Sequence, residues 1–282
     1  MKKTLLFATL SLLKCAAIFA QENQSVLWEI SGNGIQKSSY LFGTVHIASI
    51  TVLDSFPQLK QISERTDFAV FESGGSPIGR VPEQLELHQP PLDSLFTPEE
   101  YLKVDSFFTV SPHGSMRPHN NDADILTMVQ VALTIIENKA QYDRFDDLLF
   151  ARMHDLKKPI FHLDAPEDVK NVMDSLGYQR LAKFLVYLVD KNASLKGVNS
   201  ELDIDLVSYA QTLRNQLELD EQPSKNMEHG TVERNAKWIP KIEHQMQQGS
   251  CFIAVGLGHL KFQTGLIQLL RNKGYKVNPV NL

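Results

Sequence analysis

Apolar and polar residues change rhythm three times along the chain. Near the start, "VLWEIS" and "QKSSYLFGTVH" flank Gly32-Asn33-Gly34, a turn signal that predicts a β-hairpin over 26–46. In "SFPQLKQISERT", Phe56, Leu59 and Ile62 share one helical face, predicting a helix over 55–66. "DFAVFES" (67–73) is a buried strand ending in Glu72, and 74–98, with many of the prolines and glycines, is a long loop. The middle is helical. Thr97-Pro98 starts a helix over 98–108, 111–122 is a polar loop, and 123–141 and 143–157 are helices. "KPIFHLD" (158–164) interrupts them as a strand. A helix follows from Pro166, with acids in its first turn, and 178–218 and 225–248 are again helical. The end returns to strands: "CFIAVG", a helix in "FQTGLIQLLRNKG" stopped by Gly274, and "YKVNPV". This order predicts an α/β fold. Its central mixed sheet comes from two βα halves with a helical insertion between them, and 21–282 forms a single domain without a long linker.

Two of the strands end alike. Gly43-Thr44-Val45-His46 follows "YLF", and Gly256-Leu257-Gly258-His259 follows "CFIAV". A strand core has no use for an imidazole at its tip, whereas ligands of α/β sheets bind outside the carboxyl ends of strands. Glu72 ends a third strand and Asp164 a fourth. Two imidazoles and a carboxylate form a hydrolytic metal set that leaves a position open for water. The glycines are expected to turn the chain sharply there or to let backbone approach an ion. One Gly-x-x-His is a common accident in a chain with nine histidines; two, each after an apolar strand at opposite ends of the chain, point to a shared site. His113 and His119 lie in a polar loop and read as solvated. No His-Glu-x-x-His, Gly-x-Ser-x-Gly, phosphate-binding Gly-x-x-x-x-Gly-Lys or Cys-x-x-Cys pattern occurs.

Residues 1–20 have a basic start, an apolar stretch and small residues before a polar switch, the pattern of a secretory signal peptide cleaved after Ala20. The protein is therefore expected to be secreted or periplasmic, with no stable membrane insertion after cleavage. Loss of Lys2, Lys3 and Lys14 takes the net charge from −5 to −8, with 25 basic side chains against 33 acidic. So acidic a chain is a poor nucleic-acid binder. Cys15 goes too, leaving Cys251 as the one cysteine, read as a small buried hydrophobe rather than a nucleophile.

"YLFGTVHIAS", "DFAVFES", "ERNAKWIPKIEH" and "CFIAVGLGHLKFQTGLIQLLRNKGYKVNPV" resemble the TraB/GumN family, which includes the Tiki proteases. The resemblance runs in order through nearly all of the chain after residue 20 and is most specific from Val255 to Val277. It implies a divalent-metal peptidase. The family's metal-binding histidines carry over to His46 and His259, its strand-end glutamate to Glu72, and its helical Arg-Asn pair to Arg234 and Asn235. Arg234 is then a candidate to bind a carboxylate or an oxyanion, or else a salt bridge packing helix on sheet. Where many bacterial members have Leu-Glu-Thr, this chain has Leu163-Asp164-Ala165, which leaves the role of Asp164 open. The expected function is an exported metal-dependent hydrolase acting on peptide or protein, with Mn, Co or Zn on His46, His259 and Glu72, and with Glu72, Arg234 and Asn235 as catalytic candidates. The alternatives are a non-catalytic metal- or haem-binding protein of the same fold and a metal-free, esterase-type hydrolase using one histidine as base.

Overall fold

In a computed structural model of the chain, the described residues are 25–73, 90–121, 123–138, 141–191, 217–223 and 228–282. Gly32, Asn33 and Gly34 all have positive φ (79°, 45° and 83°), a region that glycine and asparagine enter at little cost. The chain reverses there and pairs β1 (Leu27–Ser31) antiparallel with β2 (Ser39–Thr44). Helices α1 (Thr51–Ser55) and α2 (Pro57–Arg65) lead to β3 (Phe68–Phe71). Next come α3 (Pro98–Thr109), α4 (Ile125–Asn138) and α5 (Phe145–Asp155). The start of α3 is a capping box: Glu100 N–H donates to the Thr97 hydroxyl and Thr97 N–H to the Glu100 carboxylate. Strand β4 (Ile160–His162), α6 (Pro166–Leu176) and α7 (Tyr178–Lys191) follow. A wide turn over Glu228–Val232 opens α8 (Glu233–Gln248), after which come β5 (Cys251–Gly256), a 3₁₀ turn over Leu257–Leu260, α9 (Leu266–Asn272) and β6 (Lys276–Pro279).

The six strands form one mixed sheet in the order β4-β3-β5-β2-β1-β6. β4, β3, β5 and β2 run parallel, and β1 is antiparallel to both β2 and β6. Both faces are covered, so β5 is buried at every residue and reads as a continuous apolar run, as strands of parallel sheets do. Its side chains still alternate. Ile253 and Val255 join Trp28, Leu41, Val70 and the α8–α9 residues Trp238, Ile242 and Leu266. Phe252 and Ala254 join Phe42, Ala69, Leu59 of α2, and Phe145 and Leu149 of α5. A separate cluster from α3, α4 and α7, with Val104, Phe108, Val129, Ala132, Leu181 and Leu185, is the helical insertion.

Several boundaries differ from expectation. The residues 178–218 are helical only to Lys191 among those described. Leu217 and Leu219 leave the helical pattern because they plug the core beside α9, with Glu218 at φ 51° and Phe262 N–H donating to the Leu217 carbonyl (3.1 Å). The helix expected from Phe262 starts at Leu266, because Gly265 first closes a turn on the Phe262 carbonyl (3.0 Å). β4 is three residues long rather than seven. His113 is not solvated: its Nε2 donates to the Tyr142 carbonyl (2.8 Å), and 9% of its side chain is exposed. The segment read as a signal peptide, His88, and most of the 74–98 loop lie outside the described residues.

Candidate functional site

Parallel pairing aligns three strand ends. Thr44 of β2 stands opposite Gly256 of β5, and Phe71 of β3 opposite Ala254. His46, Glu72 and His259 therefore leave the sheet side by side. The two motif glycines do not have positive φ; what each provides is space. A Cβ on Gly43 would stand 2.5 Å from Leu257 Cδ1. A Cβ on Gly256 would stand 3.0 Å from Glu72 Oε1 and 3.4 Å from His46 Nε2. The expected sharp turn is thus replaced by close approach, apolar at Gly43 and polar at Gly256, whose N–H donates to the Glu72 carboxylate.

Each histidine is gripped at two points by the start of a helix. At His46, Phe145 N–H of α5 donates to the backbone carbonyl (2.7 Å), and the Asp146 carboxylate accepts from ring Nδ1 (2.7 Å) while also accepting from the Thr44 hydroxyl (2.6 Å). Arg144, paired to Asp147 by two 2.8 Å bonds and to Gln130 of α4 at 2.7 Å, anchors this end of α5. At His259, Asn235 of α8 does both jobs. Its Nδ2 donates to the carbonyls of His259 (3.2 Å) and Thr264 (2.9 Å), so its Oδ1 faces His259 Nδ1 at 2.7 Å as an acceptor. This fixes the tautomer: His259 carries its proton on Nδ1 and offers a lone pair on Nε2. The His259 ring also lies 4.3 Å from that of Trp238.

Arg234, one turn before Trp238 on α8, ties this network together. Its Nε and one Nη2 N–H donate to Asp164 (3.0 and 2.6 Å), the other Nη2 N–H to Glu72 (2.7 Å), and the Nη1 group to the Gly230 carbonyl (2.9 Å) and His259 Nε2 (3.2 Å). A guanidinium has five N–H donors, and all five are used. Its charge also lies 4.6 Å over the Trp238 ring, whose indole N–H donates to Asp164 (3.0 Å).

The charges follow from this wiring. Burial works to raise the Glu72 carboxyl, but His259, Arg234, His46 and the Gly256 amide outweigh it and hold it below the usual carboxylate range. Burial drives the His259 imidazole down to about 3. At His46 burial also opposes the charged form, but the Asp146 carboxylate overcomes it, and the net shift is upward. Burial raises Asp164 despite its bonds to Arg234.

The structure thus joins Glu72, Asp164, Arg234, Asn235 and His259 in one bonded network. It sets His46 on the other flank of Glu72, in a small cavity lined also by Ser73, Arg144 and Asp146. Asp146 and Trp238 are the participants the sequence reading missed. Asp146 reads as one of two acids favouring a helix start. Trp238 carried a usable signal, since it stands four residues after Arg234 and three after Asn235, on their helical face. Cys251 is buried, and burial pushes its thiol up to about 12, as befits a core residue.

Among the described residues, no three His, Cys, Asp or Glu side chains converge closely enough to hold a metal ion as placed; Arg234 lies on Glu72 and His259. The donor chemistry nevertheless fits a divalent cation. Two imidazoles have Nδ1 committed to an oxygen acceptor, the arrangement that presents Nε2 to a metal, and an ionised carboxylate stands beside them.

A family model described as the TraB/PrgY/gumN family matches residues 26–279. No curated protein and no solved structure matches the chain.

Proposed function

The chain belongs to the TraB/PrgY/gumN family, and on that premise we propose that it is an exported, metal-dependent hydrolase acting on peptide bonds. The observation that supports this reading best is the pair of Nδ1-anchored histidines beside Glu72 at neighbouring strand ends. His46 and His259 would hold the ion through Nε2, with Glu72 as third ligand or as the base that takes a proton from water. A bound divalent ion of the Mn, Co or Zn kind lowers the pKa of water and polarises a carbonyl. The protein's own residues do the rest. Asp146 and Asn235 hold His46 and His259 with the proton on Nδ1, which leaves each Nε2 lone pair for the ion, and Arg234 keeps Glu72 ionised until the ion arrives. Export rests on the signal-like residues 1–20, and the excess of acidic side chains disfavours nucleic acid as a partner. Among the described residues no helix is long and apolar enough to cross a membrane.

One observation favours a second reading. The bond between His46 and Asp146, at an imidazole with 32% of its side chain exposed beside a cavity, is also the base half of a metal-free hydrolase. The test is metal content by mass spectrometry on chain purified without an affinity tag, alongside His46→Ala and His259→Ala. About one ion per chain, lost in both folded variants, with peptide hydrolysis abolished by chelation, is the expected result. No ion after reconstitution with Mn, Co and Zn would sink the metal reading, and hydrolysis that survives chelation would favour the second.

A further inference from the structure

Arg234 and the proposed ion need the same atoms, and at His259 the same electron pair. His259 Nε2 has one lone pair, and Arg234 Nη1 donates to it at 3.2 Å. Glu72 Oε2 accepts from Nη2 at 2.7 Å. An imidazole nitrogen cannot serve an N–H and a metal together, and two cations would repel each other at such range. In the metal-free chain the guanidinium supplies the positive charge that the buried Glu72 and Asp164 require. Asp164, which takes two of the five N–H groups, lies behind the site, joined also to the Trp238 indole.

We infer that Arg234 is an exchangeable internal cation. An ion entering at Glu72 and His259 displaces one Nη1 and one Nη2 N–H, while Asp164 and the Gly230 carbonyl keep the guanidinium tethered beside the site. Loading thereby turns a saturated arginine into one with two N–H groups facing the substrate, as donors for a carbonyl or carboxylate. This rests on the metal reading and gives Asp164 a role, that of the tether holding Arg234 in reach.

Trp238 reports the exchange directly, since the guanidinium lies 4.6 Å over its ring. The experiment follows Zn²⁺ titration of the whole protein by calorimetry and by the Trp238 indole ¹⁵N–¹H resonance, assigned with Trp28→Phe. It then repeats the calorimetry on Arg234→Gln and Arg234→Lys. The expected result is a shifted Trp238 resonance on loading, and Zn²⁺ binding roughly tenfold or more tighter in Arg234→Gln, with Arg234→Lys in between. If Zn²⁺ binds the wild type but Arg234→Gln binds it equally or more weakly, the exchange is wrong and the metal site stands. If Arg234→Gln does not fold, an unmoved Trp238 resonance on Zn²⁺ binding to the wild type overturns the exchange. If Zn²⁺, Mn²⁺ and Co²⁺ all fail to bind either chain, the exchange and the metal reading fall together.

Discussion

The two Gly-x-x-His strand ends share a spacing and differ in nearly everything else. His46 stands 32% exposed, its Nδ1 on a carboxylate, its proton affinity raised. His259 is 7% exposed, its Nδ1 on a neutral amide, its ring against Trp238, its proton affinity lowered. The glycines differ as well: Gly43 makes room for leucine packing, Gly256 for the polar atoms of the site. What the motif specifies is therefore a position at the carboxyl end of a strand. The electrical character of the histidine comes from the helix that grips it, α5 at one end and α8 at the other. A carboxylate grip makes a histidine that holds a proton readily, and an amide grip makes one that stays a neutral lone-pair donor.

The sharpest way to break this comparison is to cut both grips in metal-free protein. Asn235→Ala strips partners from the buried His259 carbonyl, the half-buried Thr264 carbonyl and His259 Nδ1, and is expected to cost about 3 kcal/mol in urea denaturation. Asp146→Ala leaves His46 Nδ1 at the cavity and the buried but rotatable Thr44 hydroxyl, and is expected to cost about 1–2 kcal/mol. Equal losses would mean that the two ends are not energetically distinct. The glycines come next. Gly43→Ala drives a methyl into Leu257 and is expected to cost about 1–3 kcal/mol, read in the same melts. Gly256→Ala is expected to lose less stability and more metal affinity, because the crowded atoms are Glu72 Oε1 and His46 Nε2. A reversed order would show that Gly256 serves the fold and not the site.

The pH response of the metal-free chain separates the two ends in another way. Folded His259 refuses a proton until about 3, whereas unfolded it accepts one near 6.5. Stability contributed by the neutral ring is therefore lost as pH falls through that window, and His259→Gln should flatten the acid limb of a stability–pH curve. His46 acts in the opposite sense. Its raised value means a contribution fully present below 6.5 and lost as pH rises through the folded value. ¹⁵N imidazole spectra provide the finest check: His46 should titrate above 6.5 while His259 remains a neutral Nδ1–H tautomer throughout. Two histidines titrating together would erase the distinction.

What was legible in the sequence was whatever local chemistry dictates. Gly32-Asn33-Gly34 needs positive φ, Thr97-Pro98 caps a helix, and apolar runs stopping at Gly-x-x-His mark strand ends. The mixed sheet and helical insertion followed from the order of such elements. Arg234 and Asn235 came from resemblance alone, because one arginine on an amphipathic helix looks like any other. Asp146 stayed hidden because its role exists only after α5 docks on the His46 carbonyl, across 100 residues of chain. Leu217 and Glu218, at the end of the 178–218 stretch, lie outside any helix for a similar reason: Leu217, like Leu219, answers to a core formed with α9 rather than to its neighbours in sequence.

The position of β5 sets a timetable. It is a central strand, wedged between β3 and β2, yet it follows both of them in the chain, beyond the helical insertion. Until it arrives, β2 and β3 have no common neighbour, each shows an open edge, and Glu72 and His46 belong to separate pieces of chain. Nascent protein thus passes a long interval without the Glu72–His259 network and with sticky strand edges in need of shelter. Insertion of six residues, Cys251–Gly256, closes that interval, joining β3 to β2 and bringing His259 to the site, with only β6 still to add at the edge beside β1.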